Sequence, residues 1–118
     1  MNDLMQVFVR DVAPLLPALQ EHLMDVEPRR FTDREIAKYD DAARSELLRI
    51  VAQGDFSRLD ALGKTMREMI ASIVDSLFDA PKYDGDWFIG HLPPDAGEAD
   101  RRLAALEFLL RRHSEVRN

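Results

Sequence analysis

Residues 57–78 carry a helical pattern of apolar side chains that restricts the fold more than any other feature of the chain. The apolar positions recur at steps of three and four, which places them on one face of an α-helix. Toward the C-terminal end the pattern widens into adjacent apolar pairs, whereas a surface helix needs only a narrow apolar face. We therefore predict a central helix that several neighbours cover. Its apolar residues are Leu59, Leu62, Met66, Met69, Ile70, Ile73, Val74, Leu77 and Phe78.

Residues 1–27 continue a helical apolar pattern through two prolines. Pro14 and Pro17 lack the amide donor that an α-helix needs, so they interrupt its backbone hydrogen bonds. The sequence fits either one kinked helix or two helices with Pro14 in the first turn of the second. We expect two helices.

The next segment has recognisable signals at both ends. Thr32 and Glu35 have the spacing of a capping box, in which each side chain bonds the other residue's free amide. Gly54 stands where a left-handed residue ends a helix, and Asp55 or Ser57 can then cap the central helix. The link between these helices is therefore about three or four residues, which favours antiparallel neighbours.

Residues 81–97 separate the central helix from the last one. This segment contains three prolines and three glycines, so we expect a long irregular loop, and such loops are usually functional or mobile. The last helix then runs to about His113, with Leu103, Leu106, Leu109 and Leu110 facing inward. We predict an all-α fold: residues 1–118 form a single-domain bundle of about five helices with a long irregular loop before the last helix.

The amino-acid composition restricts the classes of function that are compatible with the chain. The chain has 22 acidic and 16 basic residues and a net charge of -6, which disfavours direct binding to nucleic acid and favours basic protein partners. It has no cysteine, which excludes thiol catalysis, thiolate zinc sites and disulfides. No run approaches the ~18 apolar residues of a membrane span, and no signal peptide is evident at the N-terminus. We expect a cytoplasmic protein without membrane contact.

Two groups of acidic residues are candidates for contacting a partner. The loop at residues 81–97 combines aromatic rings with carboxylates, a composition that suits a basic, partly apolar protein surface. The rings could instead pack inward as a plug while the aspartates stay outside, and both interpretations remain open. The second group lies on the third helix, off its apolar face. The predicted partner-binding residues are Tyr83, Asp84, Asp86, Trp87, Phe88 and Asp95 in the loop, and Asp40 and Asp41 on the helix.

Chemistry at a metal ion or by acid–base catalysis is not indicated. Asp84, Asp86, His91 and Asp95 offer suitable ligand atoms, but their spacing matches neither the calcium loop nor a helical zinc motif. The three histidines lie in no recognised pairing with a nucleophile or carboxylate. We therefore expect no metal, no cofactor and no enzymatic activity.

Part of the chain resembles a known class of proteins. Residues 46–48 (Glu-Leu-Leu) and 54–56 (Gly-Asp-Phe), followed by a long apolar helix, are similar to one helical group of immunity proteins from bacterial toxin systems, including contact-dependent growth inhibition. The resemblance covers about residues 33–78. It implies a protein that binds a cognate toxin, often a nuclease domain, and covers its active site or substrate surface. The alternative is a non-enzymatic, homo-oligomeric regulatory or scaffold protein, and a homodimer is compatible with either.

Overall fold

The computed structural model describes residues 3–27, 29–78 and 95–117. These residues form an all-α structure with five α-helices, as the sequence predicts. The helices are α1 (Asp3–Val7), α2 (Leu16–Glu21), α3 (Asp33–Gln53), α4 (Lys64–Phe78) and α5 (Glu98–Arg117). The chain divides into two compact units, one of residues 1–16 and 76–118 and one of residues 17–75. The prediction of a single domain stays a prediction.

In the first unit, α1 and the turn that follows it pack along α5. Residues Phe8–Val12 form a π-helical turn, in which the Ala13 amide donates to the Phe8 carbonyl oxygen. A 3₁₀ turn, Ala13–Leu15, then leads into α2. The wide turn followed by the tight turn accommodates Pro14, which has no amide to donate. Two α-helices are thus present, but Pro14 lies in the 3₁₀ turn and not in the first turn of α2.

The apolar side chains of this unit are buried where the helical patterns predicted. Leu4, Phe8 and Val12 are buried on the N-terminal segment. On α5 the buried residues are Ala105, Leu106, Leu109 and Leu110, whereas Leu103 is half-buried. The last helix therefore presents the predicted face, although it extends to Arg117 and so ends later than predicted.

In the second unit, α3 has both predicted ends. The Glu35 amide donates to Thr32 Oγ1 at 3.2 Å and the Thr32 amide donates to Glu35 Oε1 at 3.1 Å, which is the capping box. At the other end Gly54 has a φ of 70° and donates its amide to the Ile50 carbonyl oxygen. Only glycine adopts this left-handed conformation without steric cost. The face between these ends buries Ala43, Leu47, Ile50 and Val51.

The predicted start of the central helix is wrong. Residues Phe56–Ala61 form a 3₁₀ helix, Leu62 is extended, and α4 begins only at Lys64. Ten residues therefore separate α3 from α4, not three or four. The apolar pattern did not reveal this break because a 3₁₀ turn still buries Leu59 completely. Of the other predicted residues, Met69, Ile70, Ile73, Val74 and Leu77 are buried, and Leu62 and Met66 are half-buried. The prediction is wrong for Phe78, which is exposed.

Candidate interaction surface

The described residues include only some of the predicted partner-binding residues. Tyr83, Asp84, Asp86, Trp87 and Phe88 lie outside the described residues. Asp95 is described, and it is exposed just before the start of α5. The role assigned to these residues stays a prediction.

Asp40 and Asp41 differ sharply in exposure. Asp41 is fully exposed, whereas Asp40 is buried and forms an ion pair with Arg44 one helical turn later. The expectation that both aspartates face water is therefore wrong for Asp40. The reason is helical spacing: Asp40 precedes Ala43 and Leu47 by three and seven residues, which places it on the buried face of α3.

The acidic residues at the start of α3 also do not form a continuous acidic face. The Glu35 carboxylate bonds Arg29 through two hydrogen bonds of 3.2 and 2.7 Å. These bonds and that from the Thr32 amide lower the pKa of Glu35 to about 2. The remaining exposed charges on α3 have mixed sign: Asp33, Arg34, Lys38, Asp41 and Arg49.

A different exposed feature appears after α2, in residues 21–27, which we call the Met24 turn. α2 ends at Glu21, and tight backbone hydrogen bonds follow, from the Leu23 amide to the Gln20 oxygen at 2.9 Å and from the Val26 amide to the Leu23 oxygen at 3.0 Å. Leu23 is buried and anchors the turn. The next residue, Met24, has 79% of its surface exposed.

Arg67, which projects from α4, fixes the Met24 turn. Its guanidinium donates to Asp25 Oδ2 at 2.9 Å, and a second donor reaches Asp25 Oδ1. It also donates to the His22 carbonyl oxygen at 3.0 Å. The hydrogen bonds from Arg67 lower the pKa of Asp25, and those to Asp25 raise the pKa of Arg67. Both charges are thereby held in one geometry, which orients the backbone of the turn.

Two more side-chain contacts within the second unit involve residues in or next to the Met24 turn. His22 Nδ1 lies 3.2 Å from Asp60 Oδ2, and Gln20 Nε2 donates to Asp75 Oδ1 at 3.1 Å. The pairing of His22 with a carboxylate was not apparent from the sequence, because 38 residues separate the two.

The Met24 turn therefore combines an exposed apolar side chain with negative charge. Glu21, Asp25 and Glu27 are all exposed on the same turn, and no basic residue occurs between Glu21 and Glu27 except His22. Single exposed apolar side chains are common on protein surfaces. Here the apolar side chain lies beside carboxylates, a combination that suits a basic, partly apolar partner, so we treat the turn as a candidate contact surface. Sequence reasoning missed this turn because a single methionine beside a helical pattern gives no signal of its exposure.

A cleft lies beside the turn, and we call it the turn cleft. Its volume is about 370 Å³. It is lined by Asp25, Val26, Glu27, Lys64, Arg67 and Glu68. A second cleft of about 330 Å³, the α5 cleft, lies in the other unit and is lined by Arg10, Asp11, Ala96, Glu98 and Arg101. Charged residues form most of the lining of both clefts.

The part of the chain that the structure describes lacks two other classes of site. Those residues contain no group of three or more histidine or acidic side chains placed to hold a metal ion. None of their helices is sufficiently long and apolar to span a bilayer.

Comparison of the chain with protein-family models, curated proteins and solved structures gives no match. The resemblance of residues 33–78 to immunity proteins therefore depends on the sequence pattern alone.

Proposed function

We propose that this chain is an immunity protein that neutralises a basic bacterial toxin, a nuclease domain, by stoichiometric binding. It covers the active site or the substrate surface of the toxin and catalyses no reaction itself. Since the substrates of such a toxin are intracellular nucleic acids, the protein acts in the cytoplasm. It binds no nucleic acid directly and needs no cofactor.

The observation that carries this proposal is the Met24 turn. A nuclease grips a phosphate backbone with basic side chains, so a surface that complements it must be acidic. The turn supplies exposed carboxylates at Glu21 and Glu27, with the apolar side chain of Met24 between them, whereas the Asp25 carboxylate is already paired with Arg67. Because Arg67 and Leu23 already hold the backbone of the turn, little conformational entropy is lost when it binds.

The net charge of -6 adds long-range attraction to this local contact. Opposite charges accelerate the encounter of two proteins, and added salt screens that attraction. The residues predicted from the sequence, Asp41, Asp95 and the loop residues Tyr83, Asp84, Asp86, Trp87 and Phe88, are proposed separately as toxin contacts. Asp40 is omitted because it is buried.

The first test is co-expression with the product of each adjacent gene. A toxic neighbour whose growth inhibition this chain relieves, and which forms a one-to-one complex with it by calorimetry, would support the proposal. A chain that relieves the toxicity of no neighbour and self-associates instead would contradict it and support the regulatory or scaffold alternative.

The second test addresses the surface. Met24→Lys removes the apolar contact and introduces a repulsive charge, so we expect affinity for the toxin to fall at least about 30-fold, as for an interface hot spot. Val9→Lys is the matched control, because Val9 is also an exposed apolar residue but lies outside the Met24 turn. Equal affinities of the two variants would place the interface elsewhere. The association rate of the unchanged protein should fall as salt rises.

A further inference from the structure

The charges of the turn cleft are only partly neutralised within the protein. Asp25 bonds Arg67, and Glu68 accepts from Arg29 Nε at 2.8 Å. Glu27 and Lys64, by contrast, are exposed and form no ion pair with any residue that the structure describes. The cleft therefore holds one carboxylate and one ammonium group that are available to a partner.

The cleft also offers apolar surface. Val26 lines it and is half-buried, and the methylene groups of Lys64 and Arg67 belong to the same lining. A basic side chain can lay its methylene groups along such surface while its charged end reaches a carboxylate. Among basic side chains, arginine pairs best with a carboxylate because its planar guanidinium donates two parallel hydrogen bonds.

We infer that the turn cleft receives an arginine side chain of the toxin, with Glu27 as the carboxylate that binds it. This inference rests on the proposed function and specifies its contact. Lys64 has the opposite effect: its ammonium group repels the incoming guanidinium and so lowers the affinity. Such an arrangement gives specificity, because a like charge at the rim penalises partners that cannot place a guanidinium beside Glu27.

The opposed effects of Glu27 and Lys64 provide the test. Affinity is measured by calorimetry with the cognate toxin inactivated at its catalytic site. Glu27→Gln should weaken binding about tenfold, as expected for a charged interface pair. Lys64→Gln should strengthen it about threefold, as expected for removal of a partly exposed repulsive charge.

Matched controls separate these local effects from the change in total charge. Glu107→Gln removes one exposed carboxylate from α5, and Lys38→Gln removes one exposed ammonium group from α3. If Glu27→Gln and Glu107→Gln weaken binding equally, or if Lys64→Gln strengthens it no more than Lys38→Gln, the inference is wrong. Circular dichroism confirms that each variant is folded.

A double-mutant cycle identifies the arginine. Each basic residue of the toxin is changed to glutamine and tested against both the unchanged protein and Glu27→Gln. For one arginine of the toxin, the loss of affinity on substitution should be at least about fivefold smaller against Glu27→Gln than against the unchanged protein. Such a difference indicates a direct contact between that arginine and Glu27. Coupling to a lysine only, or to no basic residue, would overturn the inference while leaving the proposed function intact. A toxin that does not bind at all would instead contradict the proposed function.

Discussion

Arg67 binds both the side chain of Asp25 and the backbone of His22, which lie in the same turn. The distance from Nη1 to Asp25 Oδ2 is 2.9 Å, and the distance from Nη2 to the His22 carbonyl oxygen is 3.0 Å. The two partners are 42 and 45 residues away in sequence. Arg67 on α4 thus fixes the backbone of the Met24 turn, in which Met24 is exposed to solvent.

The Arg67 contact predicts a change in local dynamics. Arg67→Met keeps the apolar stem but removes the hydrogen bonds, so the amides of Met24 and Val26 should exchange with solvent faster. Because the pair is partly exposed, we expect the global stability to fall by about 1 kcal/mol or less. Hydrogen exchange followed by NMR measures the first effect and chemical denaturation the second.

Arg49→Met is the control for this prediction, because Arg49 is exposed and pairs with Glu46 on its own helix. It should leave exchange at the Met24 turn unchanged. Exchange that stays equally slow in Arg67→Met would show that Leu23 alone fixes the turn.

Glu35 predicts a dependence of stability on pH. Its pKa in the folded protein is about 2, below its ordinary value of 4.5, chiefly because of hydrogen bonds from Arg29 and then from the Thr32 amide. A carboxyl group whose pKa falls on folding stabilises the protein above its unfolded pKa, and this contribution is lost as the pH drops toward the folded pKa. The contribution of Glu35 should therefore disappear between about pH 4.5 and pH 2.

Denaturation curves across that range test the Glu35 prediction. Glu35→Gln should be less stable than the unchanged protein at pH 7, and the difference should shrink as the pH approaches 2. A difference that stays constant from pH 7 to pH 2 would mean that the ionised carboxylate of Glu35 contributes nothing to folding.

Asp40 and Asp41 predict opposite outcomes for adjacent substitutions. Asp40→Ala removes the closer and more buried of the two carboxylates that pair with the largely buried Arg44, so it should destabilise the protein by about 2 kcal/mol, less than for a fully buried pair. Asp41→Ala should change stability by less than about 0.5 kcal/mol, because its side chain is in the solvent. Thermal and chemical unfolding of both variants measure these values. Equal stability of the two variants would contradict the burial of Asp40.

Gly54 and Gly63 predict a similar contrast for the backbone. An added Cβ meets no atom within 4 Å at either position, but only Gly54 has a positive φ, of 70°. Gly54→Ala should therefore cost about 1 kcal/mol, from backbone strain alone. Gly63→Ala should stay within about 0.5 kcal/mol or stabilise slightly, because it reduces the entropy of the unfolded chain. A loss at Gly63 as large as at Gly54 would show that the left-handed conformation is not the cause.

Features that depend on residues close together in the chain could be predicted from the sequence. The capping box at Thr32, the left-handed Gly54 and the buried faces of α3 and α5 could all be predicted, because side chains three and four positions apart meet on a helix whatever surrounds them. The same rule applied fully would have placed Asp40 on the buried face. The break at Leu62 could not be predicted, since a 3₁₀ turn and an α-helix bury nearly the same residues of a short pattern.

The candidate surface depends on contacts between distant segments. The exposure of Met24, the link from Arg67 to Asp25 and the lack of an ion pair for Glu27 and Lys64 among the described residues all depend on packing between segments about 40 residues apart. No local periodicity encodes which charges meet across such a distance, because ion pairs form wherever the packed helices bring compatible side chains together. For that reason the sequence predicted an acidic protein, and the folded chain was needed to identify the Met24 turn as a candidate surface.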